Sequence, residues 1–253
     1  MLSFSDAQLM AWIGPLLWPF IRALALLTSL PVFSQRAVPM RVKIALAFFF
    51  ALSAQASLPP MPAAPLDSAL AVQLVLQQVL IGVALGFSVR VVFAAVEMAG
   101  ELIGLQMGLN FAGFFDPATA SMGTASGRFF GTMVAFLFII INGHLAIIAV
   151  LANSFTAFPV GEEPFAFVWR LQPQTWGAEI FSLGLWIALP LVGMLLFVNG
   201  VMGVIAHVAP QINVFAVGFS VTLSVGLLGM LLTLPLMQQP FTMAFERMLA
   251  HFQ

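Results

Sequence analysis

The sequence contains no cysteine and no tyrosine, and only 7% of its 253 residues are charged. Without cysteine the chain has no disulfide, no thiol nucleophile and no thiolate metal ligand. Its net charge of −1 provides no basic field that would attract nucleic acid. Because the HExxH, Walker A, CxxC and GxSxG patterns are also absent, we expect no enzymatic activity, no cofactor and no bound metal.

Apolar residues dominate the composition, at 62% of the chain and a mean hydropathy of +1.09, which is unlike an ordinary soluble domain. A membrane-spanning helix needs about 20 apolar residues. Six runs reach or approach this length: 7–33, 43–58, 69–95, 129–152, 180–206 and 212–237. We therefore predict an all-α membrane protein with about six hydrophobic helical segments, in a single domain over residues 1–253. The start of the chain has no basic n-region, so we expect no cleaved signal peptide.

The basic residues predict an orientation in the membrane. With six spans, the odd-numbered connections and their flanks share one side, which carries Arg36, Arg41, Lys43, Arg90 and Arg128. The other side carries Arg170 and Arg247. The positive-inside rule therefore places the odd-numbered connections in the cytoplasm and both termini outside. Two prolines, Pro15 and Pro19, leave open whether the first run is one span or two half-helices.

Small residues recur every fourth position on both sides of a phenylalanine-rich stretch. The first series is Gly100, Gly104, Gly108 and Ala112, and the second is Gly123, Gly127, Gly131 and Ala135. On a helix this spacing leaves one stripe without large side chains, along which two helices approach closely. We therefore predict a tight helical hairpin packed along these glycines.

The tip of this hairpin is "GFFDPATASM", residues 113–122. Asp116 is a candidate helix N-cap, and Pro117 suits the first position of the returning helix. Gly113 would loosen the end of the first helix. The tip contains no basic residue and no glutamate, so it must be buried or must contact another apolar surface.

Two interpretations of the phenylalanines Phe111, Phe114 and Phe115 stay open on composition alone. They are either ordinary core or lipid-facing side chains, or a hydrophobic constriction that closes a pore by excluding water. Met107 and Met122 flank them, and flexible thioether side chains suit a seal that repacks around a moving substrate. The residues themselves do not decide between these interpretations.

Charged residues within or beside the apolar runs also have alternative interpretations. Arg22 lies well inside the first run, where it has a functional role or snorkels from a broken helix. Glu97 and Glu101 are one helical turn apart, and they bind a cation or proton or pair with Arg90 or Arg128. In the fourth run, "NGH" (142–144) is either a kink with local hydrogen bonds or part of a proton relay.

Three segments, taken in order, resemble one known family. "GELIGLQMGLNFAGFFDP" (100–117), "NGH" (142–144) and "APQINVFAVGFSVTLSVGL" (209–227), with six apolar runs around them, resemble the FliR family of flagellar biosynthesis proteins. The SpaR and YscT type proteins of injectisomes are its relatives. The turn of the last segment comprises His207, Pro210, Gln211 and Asn213. At His207 the family pattern has a basic residue, usually arginine.

The resemblance implies a subunit of the type III secretion export gate. Such a subunit is present in one copy and assembles with several FliP and FliQ subunits into a conical channel for unfolded proteins. FlhB surrounds the cytoplasmic entrance, and FlhA and a soluble ATPase complex supply energy and delivery. Its N-terminal part is FliP-like and its C-terminal part FliQ-like. The implied location is the bacterial inner membrane, within the flagellar basal body, where much of the cone stands above the hydrocarbon layer.

The resemblance also implies a role for the hairpin tip, because in this family the corresponding loop enters the lumen as a plug. Carried over by position, the plug residues are Gln106, Met107, Asn110, Phe111, Phe114, Phe115, Asp116, Pro117 and Met122. Two alternatives remain. One is a stand-alone transporter of small solutes or ions, although no inverted repeat is visible. The other is a purely structural assembly nucleus in which the hairpin only packs.

Overall fold

The computed structural model describes residues 6–34, 38–62, 64–65, 67–109, 124–161, 165–211 and 213–252. All regular elements within these ranges are helices, and the long ones are strongly apolar. The chain is therefore an all-α membrane protein, as the sequence predicts. The implied likeness of its two parts to FliP and FliQ stays a prediction.

The α-helices in chain order are α1 (Asp6–Ser29), α2 (Pro31–Ser34), α3 (Met40–Ala54), α4 (Ala69–Gln106), α5 (Ala125–Ile140), α6 (Gly143–Ala157), α7 (Ala166–Leu171), α8 (Trp176–Val208), α9 (Val214–Thr233) and α10 (Gln238–Leu249). Short 3-10 helices are Pro173–Thr175, Leu234–Met237 and Ala250–Phe252. Pro15 and Pro19 lie inside α1, which continues through both as one helix.

The predicted count of six spanning segments is not confirmed. Within the described residues, three helical stretches are long and apolar enough to cross a membrane, or four if α5 and α6 count as one broken span. In α1 the apolar helical stretch Ile13–Ser29 is shorter than these. Helix α3 has 15 residues, which at 1.5 Å per residue gives about 22 Å, less than the hydrocarbon thickness of about 30 Å. The predicted orientation stays a prediction.

The fourth apolar run is interrupted where the sequence reads Asn-Gly-His. Asn142 adopts the left-handed conformation, with φ 56° and ψ 33°, and α6 begins at Gly143. The carbonyl of Asn142 accepts hydrogen bonds from the backbone N–H groups of Leu145 and Ala146. The segment is therefore a helix break whose backbone hydrogen bonds are made locally, in line with the simpler of the two interpretations.

The chain divides into two compact units. The first unit comprises Met1–Val91, Asn142–Trp176 and Phe245–Gln253, and the second comprises Val92–Ile141 and Gly177–Ala244. In the first unit, α3 packs on α1 through small residues such as Ala47 and Ala51, while Phe49 is 65% exposed. Small residues thus face the protein, and large apolar side chains face outward. The single domain expected from the sequence stays a prediction.

Close helix contacts hold the first unit together. A Cβ atom on Gly82 of α4 would lie 2.8 Å from the Ala25 side chain of α1, and one on Gly86 would collide with Ser29. Trp18 of α1 is fully buried and donates a hydrogen bond from Nε1 to the carbonyl of Pro62 at 3.2 Å. At Gly82 and Gly86, α4 therefore approaches α1 too closely to leave room for a side chain.

In the second unit, many large apolar side chains on α8 and α9 remain exposed. Examples are Phe181, Trp186, Leu189, Phe197, Leu228, Leu231 and Leu232. A soluble monomer rarely exposes a continuous apolar surface of this kind. These helices therefore present surfaces suited to lipid or to other membrane-embedded chains.

Candidate functional site

The candidate site is the helical hairpin formed by the end of α4 and by α5, both in the second unit. Four glycines mark where the two helices meet. A Cβ atom on Gly100 would lie 2.7 Å from the ring of Phe130, and one on Gly104 would collide with Ser126. One on Gly127 would lie 2.7 Å from Cδ of Glu101, and one on Gly131 would lie 3.2 Å from Cγ of Glu97. At these positions no larger residue fits without displacement of its neighbour.

Helix α4 ends in a left-handed glycine. Gly108 has φ 77°, and its N–H donates to the carbonyl of Leu105 at 3.1 Å. The sequence predicts that Gly108 continues the stripe of small residues, and this is wrong, because the helix ends at Gln106. Gly108 serves instead as a C-terminal cap, a position that requires positive φ and therefore favours glycine. The predicted loosening at Gly113 lies beyond this end, outside the described residues.

Met107 closes the end of α4 and is fully buried. A Cβ atom on Gly226 of α9 would lie 2.6 Å from its sulfur atom. Beside it, Nδ2 of Asn199 in α8 donates a hydrogen bond to the backbone carbonyl of Gln106 at 3.3 Å. The C-terminal end of α4 is thus held in place by contacts with both α8 and α9.

Helix α5 begins with a hydrogen-bonded cap. Oγ1 of Thr124 accepts a hydrogen bond from the N–H of Gly127 at 3.0 Å and lies 2.9 Å from Oγ of Ser126. The N–H of Thr124 donates to Oε1 of Glu101 on α4 at 2.9 Å. A carboxylate of one hairpin helix thereby binds the first residue of the other.

The other predicted plug residues lie outside the described residues. These are Asn110, Phe111, Phe114, Phe115, Asp116, Pro117 and Met122, together with the packing glycine Gly123. Their roles stay predictions. What the structure describes is the pair of helix ends between which they are located.

The turn between α8 and α9 lies in the second unit. His207 is in the last turn of α8, and it is exposed, as are Pro210, Gln211 and Asn213. The carbonyl of Asn213 accepts a hydrogen bond from the N–H of Val217 at 3.1 Å, as expected of a residue that begins a helix. The segment is therefore a turn between α8 and α9.

Arg22 is fully buried in the first unit and is surrounded by acceptors. Its Nε donates to Oε1 of Gln78 at 2.7 Å, and its Nη1 donates to the carbonyl of Ser154 at 2.7 Å and to Oγ of Ser154 at 3.0 Å. Its Nη2 donates to the carbonyl of Phe158 at 2.8 Å, and the guanidinium lies 3.8 Å from the ring centre of Phe155. Snorkelling is therefore wrong for this arginine, which connects α1 and α4 to the C-terminal end of α6.

Two buried nitrogen atoms in the first unit have no hydrogen-bond partner among the described residues: His144 Nδ1 and Trp176 Nε1. Trp176 is stacked on Phe87 with ring centres 5.9 Å apart. His144 follows the break at Asn142 and is only partly buried. Within the described parts of the chain, no hydrogen bond joins Asn142 or His144 to a titratable side chain that would extend a proton relay.

The chain matches the family described as "Bacterial export proteins, family 1" over residues 13–248. This range contains the hairpin, the Asn-Gly-His break and the turn before α9. The chain belongs to the FliR family of bacterial export proteins. The name "Flagellar biosynthetic protein FliR" is carried by relatives from Pectobacterium carotovorum subsp. carotovorum, 42% identical, and Escherichia coli strain K12, 41% identical; each match covers 93% of this chain and 90% of the relative. The relative from Bacillus subtilis strain 168 is 30% identical over 81% of this chain and 80% of its own length.

Membership of the FliR family confirms the resemblance that the three sequence segments indicate. The family and its relatives are named for export and flagellar biosynthesis, and neither name denotes a catalytic activity. The conclusion that follows is a membrane protein of the bacterial flagellar export family.

Sequence reasoning missed four residues that the structure places at close contacts. Asn199 and Ser126 belong to the hairpin region, and Gln78 and Ser154 surround Arg22. Asn199 and Gln78 had a detectable signal, because each is a polar residue inside a long apolar run. Ser126 had none, since small polar residues are common in helix contacts in membranes.

Proposed function

We propose that this chain is a subunit of the flagellar type III export gate, located in the bacterial inner membrane within the flagellar basal body. In this proposal one copy of the chain assembles with FliP and FliQ homologues into a channel for unfolded export substrates. FlhB binds at the cytoplasmic entrance, and FlhA takes part in delivery. The observation that carries the proposal is the family match over residues 13–248, almost the entire chain.

We further propose that the segment from Gln106 to Met122 closes the pore when no substrate passes. Phe111, Phe114 and Phe115 supply the apolar side chains, which exclude water from the constriction. The described residues beside this segment support the proposal, because Gln106 at its start and Thr124, two residues after Met122, are each held by a side chain from another helix. Ends fixed in this way allow an apolar tip to return to one place after a substrate has passed.

The assembly is tested by the native mass of the tagged chain, extracted in detergent after expression with and without its FliP and FliQ homologues. We expect one defined complex that contains a single copy of this chain. A chain that is homogeneous alone and ignores these partners would refute the gate subunit. Solute uptake by the purified chain alone would then favour the stand-alone transporter.

The plug is tested in that complex by ion conductance across vesicles. Deletion of residues 111–119 should raise ion leak without preventing assembly. A finer pair of variants changes Phe111, Phe114 and Phe115 together, either all to Ser or all to Leu. Serine should raise the leak because it admits water, whereas leucine should keep it low because the constriction stays apolar.

The leucine variant is the matched control, since it alters the same three positions and removes the same rings. Equal leak in the serine and leucine variants, at the level of the unchanged complex, would show that these phenylalanines do not close the pore. An intact complex with normal leak and normal secretion after the serine change would favour the structural assembly nucleus instead.

A further inference from the structure

Both helix ends of the hairpin are held by a polar side chain that binds a backbone group. Glu101 on α4 binds the N–H of Thr124, the residue before α5, at 2.9 Å. Asn199 on α8 binds the carbonyl of Gln106, the last residue of α4, at 3.3 Å. Neither contact is a local capping interaction, because the paired residues are 23 and 93 positions apart in the chain.

The hydrogen bond of Glu101 takes the place of one of the two hydrogen bonds of a capping box. In a capping box the N-cap side chain binds the N–H three residues later, and a Glu or Gln at that later position binds back to the N–H of the N-cap residue. Here Thr124 makes the first bond, to Gly127, but Gly127 has no side chain to return the second. Glu101 supplies the missing acceptor from the other helix of the hairpin.

Gly127 also explains why the acceptor comes from α4. A Cβ atom on Gly127 would collide with Oε1 of Glu101 and would lie 2.7 Å from its Cδ. The carboxylate therefore occupies the space that a side chain on Gly127 would need. A negative charge near the first turn of a helix is favourable, because the helix dipole places partial positive charge there.

The contact of Asn199 satisfies an acceptor that a helix cannot satisfy itself. The last four carbonyls of an α-helix have no partner within the helix. The side-chain amide of Asn199 supplies a donor to one of them, that of Gln106. The neighbouring Met107 is fully buried against Gly226, so the same end is also fixed by packing.

We propose that Glu101 and Asn199 are positioning residues, which fix the start of α5 and the end of α4 and so set the separation of the two hairpin ends. The proposal rests on the proposed function in one respect: if the segment between these ends closes the pore, the two side chains determine where it begins and ends. Neither residue touches the substrate in this role.

The separation of the ends can be measured directly, since the chain has no cysteine of its own. Cysteines introduced at Leu105 and Ala125, which are both exposed, take one spin label each. The distance distribution between the labels is then recorded in the full chain, and again in its complex with the FliP and FliQ homologues. We expect one narrow distance in the otherwise unchanged chain.

The decisive series changes Glu101 and Gly127. Glu101→Ala should broaden the distance distribution or shift it to longer distances, whereas Glu101→Gln should retain the narrow distance because the amide oxygen also accepts the bond. The double change Glu101→Ala with Gly127→Glu rebuilds the capping box within α5 but leaves no bond to α4. We expect α5 to keep its start in that variant while the distance stays broad.

Two outcomes would overturn the proposal for Glu101. One is an unchanged distance in Glu101→Ala. The other is a fully restored narrow distance in the double variant. That result would mean that Glu101 acts only by capping α5, and that its bond between the two helices does not set the distance. Glu246→Ala, an exposed glutamate on α10, is the matched control and should leave the distance unchanged.

Asn199 is tested by the same distance measurement in two variants, Asn199→Leu and the isosteric Asn199→Asp. Both remove the amide donor, so both should broaden the distance if the donated bond is what matters. A narrow distance in both variants would overturn the role of Asn199.

Ion leak through the assembled gate separates this inference from the proposed function. A broadened distance together with raised leak in Glu101→Ala supports both. A broadened distance with normal leak keeps the positioning role and refutes the plug. An unchanged distance refutes the positioning role, whatever the leak.

Discussion

The surroundings of Arg22 and the glycine-lined hairpin hold helices together by opposite means. Around Arg22 one long side chain makes hydrogen bonds to Gln78, Ser154 and Phe158. In the hairpin, contact depends on the absence of side chains at positions such as Gly100 and Gly104. Both arrangements stabilise helix contacts in apolar surroundings. Helices there gain little from the hydrophobic effect, so they need hydrogen bonds or close packing.

The two regions should therefore fail in opposite ways. The Arg22 region is sensitive to atoms that are removed, since Gln78, Ser154 and Phe158 all accept hydrogen bonds from this one side chain. The hairpin is sensitive to atoms that are added, since its helices already approach as closely as glycine permits. Substitutions that remove or add single groups test this difference.

The largest effect is expected from Arg22→Met, which retains an unbranched apolar stem but removes the guanidinium and all of its donors. Buried acceptors left without a partner cost about 1–3 kcal/mol each. We expect a large fall in the thermal unfolding midpoint of the detergent-extracted chain, or failure to accumulate. Arg22→Lys should lie between, because one ammonium group lacks the fork geometry needed to reach the same partners. A midpoint unchanged in Arg22→Met would contradict the assigned role.

Gly104→Val should come next, since its branched side chain collides with Ser126. Overpacking of this kind typically costs about 1–3 kcal/mol. Ser126→Gly should partly restore the unfolding midpoint when combined with it, because it removes the colliding atoms. The control is Gly200→Ala on α8, where an added Cβ meets no atom within 4 Å and the helix gains a better helix former. Equal loss in both glycine variants would mean that close approach is not the cause.

Ser154→Ala should have a smaller effect, because it removes one of the four hydrogen bonds that Arg22 donates and leaves the other three. The hydroxyl of Ser154 accepts from Nη1 at 3.0 Å, but the same nitrogen also donates to the carbonyl of Ser154 at 2.7 Å. A single hydrogen bond typically contributes about 1 kcal/mol. We expect the unfolding midpoint to fall less in Ser154→Ala than in Arg22→Met. An equal fall in both variants would show that the Ser154 hydroxyl, and not the guanidinium, is the main stabilising group of this network.

The smallest effect is expected from Gly226→Ala. The three atoms nearest to its added Cβ all belong to the side chain of Met107, which is flexible and can adopt another rotamer. In Gly184→Ala, by contrast, the Cβ would lie 2.8 Å from the backbone carbonyl oxygen of Ala95, which cannot move alone. We expect the unfolding midpoint to fall more for Gly184→Ala than for Gly226→Ala; the reverse order would show that Met107 is as rigid as backbone.

The sequence predicted the hairpin because its signal is local. The glycines recur at one helical spacing, and this spacing alone assigns Gly100 and Gly104 to one face of a helix. The same periodicity failed at Gly108, because spacing does not reveal where a helix ends. Only the backbone conformation distinguishes a packing glycine from a capping glycine.

The sequence could not determine the role of Arg22, because its partners are distant in the chain. Gln78 lies 56 residues later and Ser154 lies 132 residues later, and nothing local marks either as a partner. Hydropathy likewise could not set the number of spanning segments. It counts apolar residues, whereas Asn142 ends a helix by its left-handed backbone between two strongly apolar stretches.

The distance in sequence between Arg22 and its partners has a consequence in time. The last of them, Phe158, is synthesised 136 residues after the arginine. At roughly 5–20 residues per second, this is a delay of roughly 7–27 s. During that interval the guanidinium lacks the acceptors that make its burial tolerable, so α1 reaches its native setting only after α6 exists. The order of synthesis thus imposes an order of assembly on the first unit, in which the earliest helix is among the last to be completed.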